Sequence, residues 1–288
     1  MTDSSQPIVG VDLGGTKVAA GRVRNGSVEA LERRDVPADD SREAVLDVVI
    51  STIAEVVTDD VAAIGLGAPS VVDLPEGVVR EVGNIPSWQK VPLKAALEAR
   101  FDLPAVVDND ANAFALGEHV FGAGRGCRHL VGMTLGTGLG TGVVLDGRLQ
   151  HGANCGVGEL GKSAHKGLRL QSWCASPYFP RERSAEASEL HSRARDGDDE
   201  ALRAFDAYGE ELSAAVALAL YAFDPETVVL GGSISSAFDL FEAGLRRGLA
   251  DFAYPHIVER VRIVPSTLEH AAVLGAAALA FDVVRSRA

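Results

Sequence analysis

The segment Val107-Asp108-Asn109-Asp110-Ala111-Asn112 gathers two carboxylates and two carboxamides within five residues. A carboxamide donates and accepts hydrogen bonds at once, which suits a polyol, and a carboxylate can take a proton from a hydroxyl. Capping of a helix by Asp108 or Asp110 is the structural alternative. A second group stands in Val9-Gly10-Val11-Asp12-Leu13-Gly14-Gly15-Thr16-Lys17. Strand formers lead into Asp12, and Gly14 and Gly15 let backbone N–H groups approach an anion closely. Thr16 adds a hydroxyl donor, Lys17 a positive charge, and Asp12 a carboxylate able to hold a hydrated Mg²⁺. The assembly suits a nucleoside triphosphate tail, although the Gly-x4-Gly-Lys-Ser/Thr spacing of a P-loop is absent. An ordinary hairpin turn after a buried strand is the plainer alternative.

Two further turns weigh against that alternative. Met133-Thr134-Leu135-Gly136-Thr137-Gly138-Leu139-Gly140-Thr141-Gly142 alternates glycine with threonine or leucine and runs into Val143-Val144-Leu145. Val228-Val229-Leu230-Gly231-Gly232-Ser233 again ends an apolar strand and leads into helix-compatible residues. A turn of that kind can aim a helix N-terminus at an anion or a nucleoside.

These turns need strands and helices to hold them. Ile8–Leu13 and 18–23 are expected as strands, and 42–57 as a helix with Val45, Val48, Val49, Thr52, Ile53 and Val56 on one face. Residues 62–66 are expected as a short buried strand, 91–99 as a helix, 105–107 as a strand, and 108–117 as the start of a helix. Strands at 129–135 and 142–145 bracket the second turn. A long Ala-rich helix, Asp199–Phe223, stops at Asp224-Pro225. A strand at 227–230, a helix at 238–249, a strand at 261–265 and a closing helix at 271–284 complete the series. The charged stretch 181–199 is expected as a solvated helix pair or loop. Strands alternating with helices indicate an α/β protein.

Composition narrows the function classes. The 288 residues, 47% hydrophobic, can bury one large or two medium cores. No apolar run is long enough to span a membrane, and the N-terminus lacks the basic and apolar regions of an export signal. Cys127, Cys155 and Cys174 form no disulfide framework, which points to a reducing, cytoplasmic setting. A net charge of −13 argues against nucleic acid as a partner. Five lysines stand against twenty-two arginines, a bias that a high-salt source or a GC-rich genome would each produce.

The three turns resemble the phosphate-1, phosphate-2 and adenosine motifs of the sugar kinase/actin/Hsp70 ATPases. Within that group the chain resembles the ROK family of sugar kinases and sugar-responsive repressors. The likeness is carried by Asp12-Leu-Gly-Gly-Thr-Lys17, Gly65-Leu-Gly-Ala-Pro-Ser70, Asn84-Ile-Pro-Ser-Trp88, Asn109-Asp-Ala-Asn112, Leu135-Gly-Thr-Gly138 and Gly156-Val-Gly-Glu159, in family order. It implies a two-lobed actin-like (ribonuclease H-like) α/β fold with a cleft between the lobes. The first lobe would be 1–108, closed by the C-terminal helix 272–288, and the second 109–271. The likeness implies Asp110 as catalytic base, and Ser70, Asn84, Asn109 and Glu159 as sugar-binding residues. It implies ATP held by Asp12, Gly14, Gly15, Thr16, Lys17, Thr137, Gly138, Gly231 and Gly232, with Mg²⁺ on Asp12 through water. Asp108 is then the expected helix cap, and Trp88 is left to packing.

One departure stands out. Family members follow Gly-Glu-x-Gly with a His, then carry a Cys-rich run and a Glu; the His and three Cys bind a structural Zn²⁺. Here Lys162 replaces the His and Gln171 the Glu, and no Cys pair follows. Cys155, Cys174, His151 and His165 have no recognisable ligand spacing, so no zinc site is expected. Lys162 can only donate hydrogen bonds, whereas Gln171 can donate and accept. The resemblance implies ATP-dependent phosphorylation of a hexose, glucose foremost, with mannose, fructose and N-acetylhexosamines as alternatives. A repressor would need a DNA-binding segment before Asp12, for which no room is seen. A sugar sensor without catalysis stays open because of Lys162 and Gln171, as does a homodimer.

Overall fold

The computed structural model describes residues 6–285. Residues 1–5, where most of the N-terminal reading falls, and 286–288, the end of the expected closing helix, lie outside the described residues. The chain forms two compact units. Unit 1 takes the chain up to Arg125, His151–Val157 and the chain from Leu268; unit 2 takes Gly126–Gln150 and Gly158–Thr267.

Unit 1 starts with an antiparallel meander of β1 (Ile8–Leu13), β2 (Lys17–Arg24) and β3 (Ser27–Asp35). There follow α1 (Arg42–Ala54), β4 (Ala63–Ala68) and a small antiparallel sheet of β5 (Val72–Asp73), β6 (Val78–Val82) and β7 (Ile85–Pro92). Then come α2 (Leu93–Phe101), β8 (Ala105–Asn109) and α3 (Asp110–Val120). The main sheet runs β3-β2-β1-β4-β8, with β1, β4 and β8 parallel. β1 and β4 are covered on both faces, which is why they read as nearly unbroken apolar or glycine runs.

Unit 2 opens with β9 (Leu130–Leu135), β10 (Leu139–Leu145) and β11 (Arg148–Leu149), then the short hairpin β12 (Ala164–His165) and β13 (Leu168–Arg169). Four helices follow: α4 (Gln171–Cys174), α5 (Tyr178–Arg183), α6 (Ala187–Arg195) and α7 (Asp199–Phe223). β14 (Thr227–Gly231), α8 (Phe238–Gly248), α9 (Pro255–Arg260) and β15 (Arg262–Pro265) complete the unit. Its sheet runs β11-β10-β9-β14-β15. Phe205 and Tyr208 of α7 pack with Phe179 and Phe241 in its core, and the Asp198 side chain caps α7.

The chain returns to unit 1 as α10 (Ala271–Leu279) and α11 (Phe281–Arg285). α10 lies directly on the sheet where Gly10 and Gly65 pair. A β-carbon there would come within 2.0 Å of the Val273 carbonyl or 1.8 Å of the Ala276 carbonyl. α3 packs on α10, so unit 1 extends through α3 to Arg125 rather than stopping at 108.

Several elements differ from expectation. The helix expected over 91–99 begins only at Leu93, because Val91 still pairs with Val79 in the small sheet. α1 ends at Ala54 rather than at 57, and the closing helix is broken at Ala280. The strand of the second turn starts at Leu139, its glycines paired with β9. β3 and the small sheet were not anticipated. The stretch 181–199 contains the end of α5 and α6, and α6 buries Leu190 and Ala194.

Candidate active site

In unit 1 the parallel register sets Asp12 beside Gly67, and Gly67 beside Asp108. Register partners in parallel strands share a face, so the two carboxylates stand in one row with a residue lacking a side chain between them. A β-carbon on Gly67 would lie 3.2 Å from Cα of Asp110 and 3.1 Å from Cβ of Ala113. The first turn of α3 therefore seats over the row, bringing Asp110 to the face that carries Asp12. Burial pushes the Asp12 carboxyl up to about 6, with Arg33 pulling the other way.

The turn after β8 is heavily hydrogen-bonded. Asn109, not Asp108, caps α3: its Oδ1 accepts from the N–H groups of Ala111 at 2.9 Å and Asn112 at 3.2 Å. Its Nδ2 donates to the Ser70 carbonyl at 3.1 Å. Asp108 points instead to His151, whose Nε2 lies 2.6 Å from Oδ2, and accepts at Oδ1 from Asn109 N–H and Asn112 Nδ2. That carboxylate raises the pKa of His151 above the ordinary histidine value, against a smaller effect of burial. The Ala111 N–H also donates to Asp110 Oδ1, at 2.8 Å.

The first glycine turn is closed by Gly14 N–H donating to the Lys17 carbonyl at 2.8 Å, and it leaves Thr16 and Lys17 exposed. Gly15 abuts Asn84, which stands exposed between β6 and β7. The Ser70 hydroxyl is engaged with the Glu81 backbone of the small sheet. Trp88 is fully buried and donates to the Arg42 carbonyl.

In unit 2 the second turn joins β9 to β10. Gly136 N–H donates to the Gly138 carbonyl, and Ser176 donates to the Gly136 carbonyl through both its N–H and its hydroxyl. Thr137 is exposed at the tip. The third turn lies against the second, since Gly231 pairs with Thr134. Gly232 holds φ at +84°, and a β-carbon on it would reach 2.4 Å from the Leu135 carbonyl.

The segment holding Glu159 is built on the same hairpin. Gly158, with φ +90°, begins a short 3₁₀ turn over Glu159–Lys162, and a β-carbon there would strike the Thr141 carbonyl of β10. Lys162 Nζ donates to Gln171 Oε1 at 3.2 Å. That same oxygen would lie 3.5 Å from a β-carbon on Gly138. Lys162 and Gln171 are thus bonded to each other beside the second glycine turn. Among the described residues no group of three His, Cys, Asp or Glu side chains is arranged to hold a metal. Cys174 is buried and donates to the Glu211 carbonyl.

Unit 1 contains Asp12, Gly14, Gly15, Thr16, Lys17, Ser70, Asn84, Asn109 and Asp110, with Asn109 bonded to the Ser70 carbonyl and Gly15 set against Asn84; unit 2 contains Thr137, Gly138, Glu159, Lys162, Gln171, Gly231 and Gly232, with Lys162 bonded to Gln171 beside Gly138. Nothing along the chain links His151 to Asp108; the fold alone brings the two together.

The ROK family model matches residues 8–178 and 164–283. A glucokinase of Thermotoga maritima is 34% identical, the match covering 94% of this chain and 96% of that one. An N-acetyl-D-glucosamine kinase of Escherichia fergusonii is 29% identical over 79% of this chain and 84% of its own. The crystal structure of a ROK family glucokinase from Streptomyces griseus, in complex with glucose and AMPPNP, superposes with a TM-score of 0.83 at 28% identity. That match covers 97% of this chain and 99% of the other. The fold is the two-lobed, actin-like α/β fold of these kinases. Among the described residues no helix is long and apolar enough to cross a membrane.

Proposed function

This chain belongs to the ROK family, and on that premise we propose that it is an ATP-dependent kinase acting on the 6-hydroxyl of a hexose, glucose foremost, with Asp110 as general base. The observation that carries the reading is the row Asp12–Gly67–Asp108 with Asp110 seated over Gly67. It supports two separate carboxylate duties on one face: proton acceptance by Asp110 and metal organisation by Asp12.

Phosphoryl transfer asks a protein mainly for positioning and for charge stabilisation. The Asp110 carboxylate takes the proton of the 6-hydroxyl as that oxygen attacks the γ-phosphorus. The bond from the γ-phosphorus to the bridging oxygen breaks, ADP leaves, and Asp110 later returns the proton to solvent. The Ala111 N–H on Oδ1 orients the carboxylate. Asn109, Ser70, Asn84, Glu159, Lys162 and Gln171 are proposed to recognise the sugar. The carboxylate of Glu159 suits a vicinal diol.

Gly14, Gly15, Thr16 and Lys17 offer donors to the phosphates, as do Thr137 and Gly138, while Gly231 and Gly232 form the nucleoside turn. A lone carboxylate at a strand end fits Mg²⁺, which keeps most of its waters and binds through one or two carboxylates and substrate phosphates. Asp12 would hold it through water; when bound, Mg²⁺ neutralises phosphate charge. We read no structural zinc in the Lys162–Gln171 region.

The N-acetylglucosamine kinase among the relatives favours a second reading, in which the sugar is an N-acetylhexosamine. ADP formation with Mg²⁺–ATP across glucose, mannose, fructose, N-acetylglucosamine and N-acetylmannosamine separates the two. Asp110→Asn should lower kcat by about 10²–10⁴ with sugar binding retained. Sugar binding without turnover by the parent protein would make it a sensor, and normal turnover by the variant would remove Asp110 as the base.

A further inference from the structure

We propose that His151 is a positioning residue for phosphoryl transfer: its imidazole holds Asp108, and Asp108 holds the 109–112 turn that carries Asp110. The proposal rests on the reading of Asp110 as the base.

Asp108 is 4% exposed. A carboxylate so deeply placed is tolerated only where donors surround it. Its donors divide cleanly. Oδ1 accepts from Asn109 N–H at 2.6 Å and Asn112 Nδ2 at 2.9 Å, both within the turn that leads into Asp110. Oδ2 faces His151 Nε2 at 2.6 Å. One oxygen therefore organises the turn while the other is gripped by a residue 43 positions along the chain.

The capping of α3 does not need this arrangement, because Asn109 performs it through its own side chain. Asn109 is also tied to the Ser70 carbonyl. What remains for Asp108 is to fix the backbone immediately before the base. His151 in turn is presented by a closed loop: Val157 N–H donates to the His151 carbonyl at 3.2 Å, and this loop, His151–Val157, belongs to unit 1. Without His151, Oδ2 loses that partner inside the protein. The cheapest relief is rotation of Asp108, which releases Asn109 N–H and Asn112 Nδ2 together. A shift of about 1 Å at a reacting group can cost about 10²-fold in rate.

The test compares His151→Leu, His151→Gln and Asp110→Asn in steady-state phosphorylation of the best hexose with Mg²⁺–ATP, beside hydrogen exchange at the amides of Asn109, Ala111 and Asn112. In His151→Leu, kcat should fall about 10–100-fold with KM for ATP nearly unchanged, and the Asn109 amide, which donates to Asp108, should exchange faster, while those of Ala111 and Asn112 stay protected by the Asn109 cap. His151→Gln, which can still donate to Asp108, should recover most of the loss. A residue that only stabilised the fold would not lower kcat selectively in folded protein, nor be rescued by a donor. If His151→Leu does not fold, His151→Asn, polar but too short to reach Asp108, carries the same expected loss. Parental kcat in the donor-less variant, with turnover lost in Asp110→Asn, overturns the positioning role alone. Parental turnover in Asp110→Asn overturns the base reading beneath it.

Discussion

Gly15 and Asn84 touch so closely that a β-carbon on Gly15 would lie 2.6 Å from Cβ of Asn84 and 2.7 Å from its Nδ2. One belongs to the proposed phosphate-1 turn and the other to the loop proposed to meet the sugar. Gly15→Ala cannot be accommodated without moving Asn84 or the turn, so a single methyl should disturb both substrates. We expect KM to rise for ATP and for the hexose together, by about 3–30-fold each, with little change in melting temperature. A rise confined to ATP would show that the contact carries no consequence for the sugar.

Two other glycines separate function from folding. A β-carbon on Gly138 would meet only Gln171 Oε1, at an ordinary 3.5 Å. Gly138→Val should therefore fold, and its branched side chain should weaken ATP binding by obstructing the phosphates. Gly232→Ala meets both a left-handed φ and the Leu135 carbonyl. It should cost about 1–3 kcal/mol of stability before any effect on nucleotide binding. Thermal melts with and without ATP distinguish the two, and equal stability losses would contradict this assignment.

Asp12 should trade stability for activity. Its folded pKa, about 6, lies above the ordinary carboxylate value because burial disfavours the charge. The folded state thus holds a proton more readily than the unfolded chain, and the cost of the charge develops as pH rises through that range. Asp12→Asn should stabilise the protein at neutral pH by about 1–2 kcal/mol, allowing for partial exposure, and the gain should vanish near pH ~4. Turnover should collapse in the same variant. Denaturant midpoints across pH check the first part; a gain independent of pH would mean the burial cost is not the cause.

His151 should show the opposite slope. Its folded pKa is raised chiefly by the hydrogen bond to Asp108. Its stabilisation is complete below the unfolded value of about 6.5 and fades as pH rises through the folded one. The destabilisation caused by His151→Leu should be larger at about pH 6 than at about pH 9. Equal losses at both values would mean that the charged pair contributes nothing.

Local chemistry is legible along the chain. Glycine turns after apolar strands were legible at Gly14-Gly15, Gly136–Gly138 and Gly231-Gly232 because turn conformation depends on the residues at the turn. The α/β alternation was legible from the periodicity of strands such as β1 and β14 and of α7. β3 was hidden because Ser27–Asp35 is an edge strand rich in charge. The small sheet was hidden because β7 begins and ends beside prolines and its partner β6 is irregular in register. The cap of α3 is ambiguous along the chain because Asp108 and Asn109 are equally good cap residues, and Asp108 finds another partner, His151, only in the folded protein.

Tertiary structure alone decided which distant residues meet: Asp12 and Asp108 across Gly67, Gly15 against Asn84, Lys162 with Gln171, and His151 with Asp108. Residue type dictates what a side chain can bond, but its partner is set by strand register and by helices packed on the sheet. Both arise from burying apolar surface throughout a unit, and no stretch of chain a few residues long contains that information.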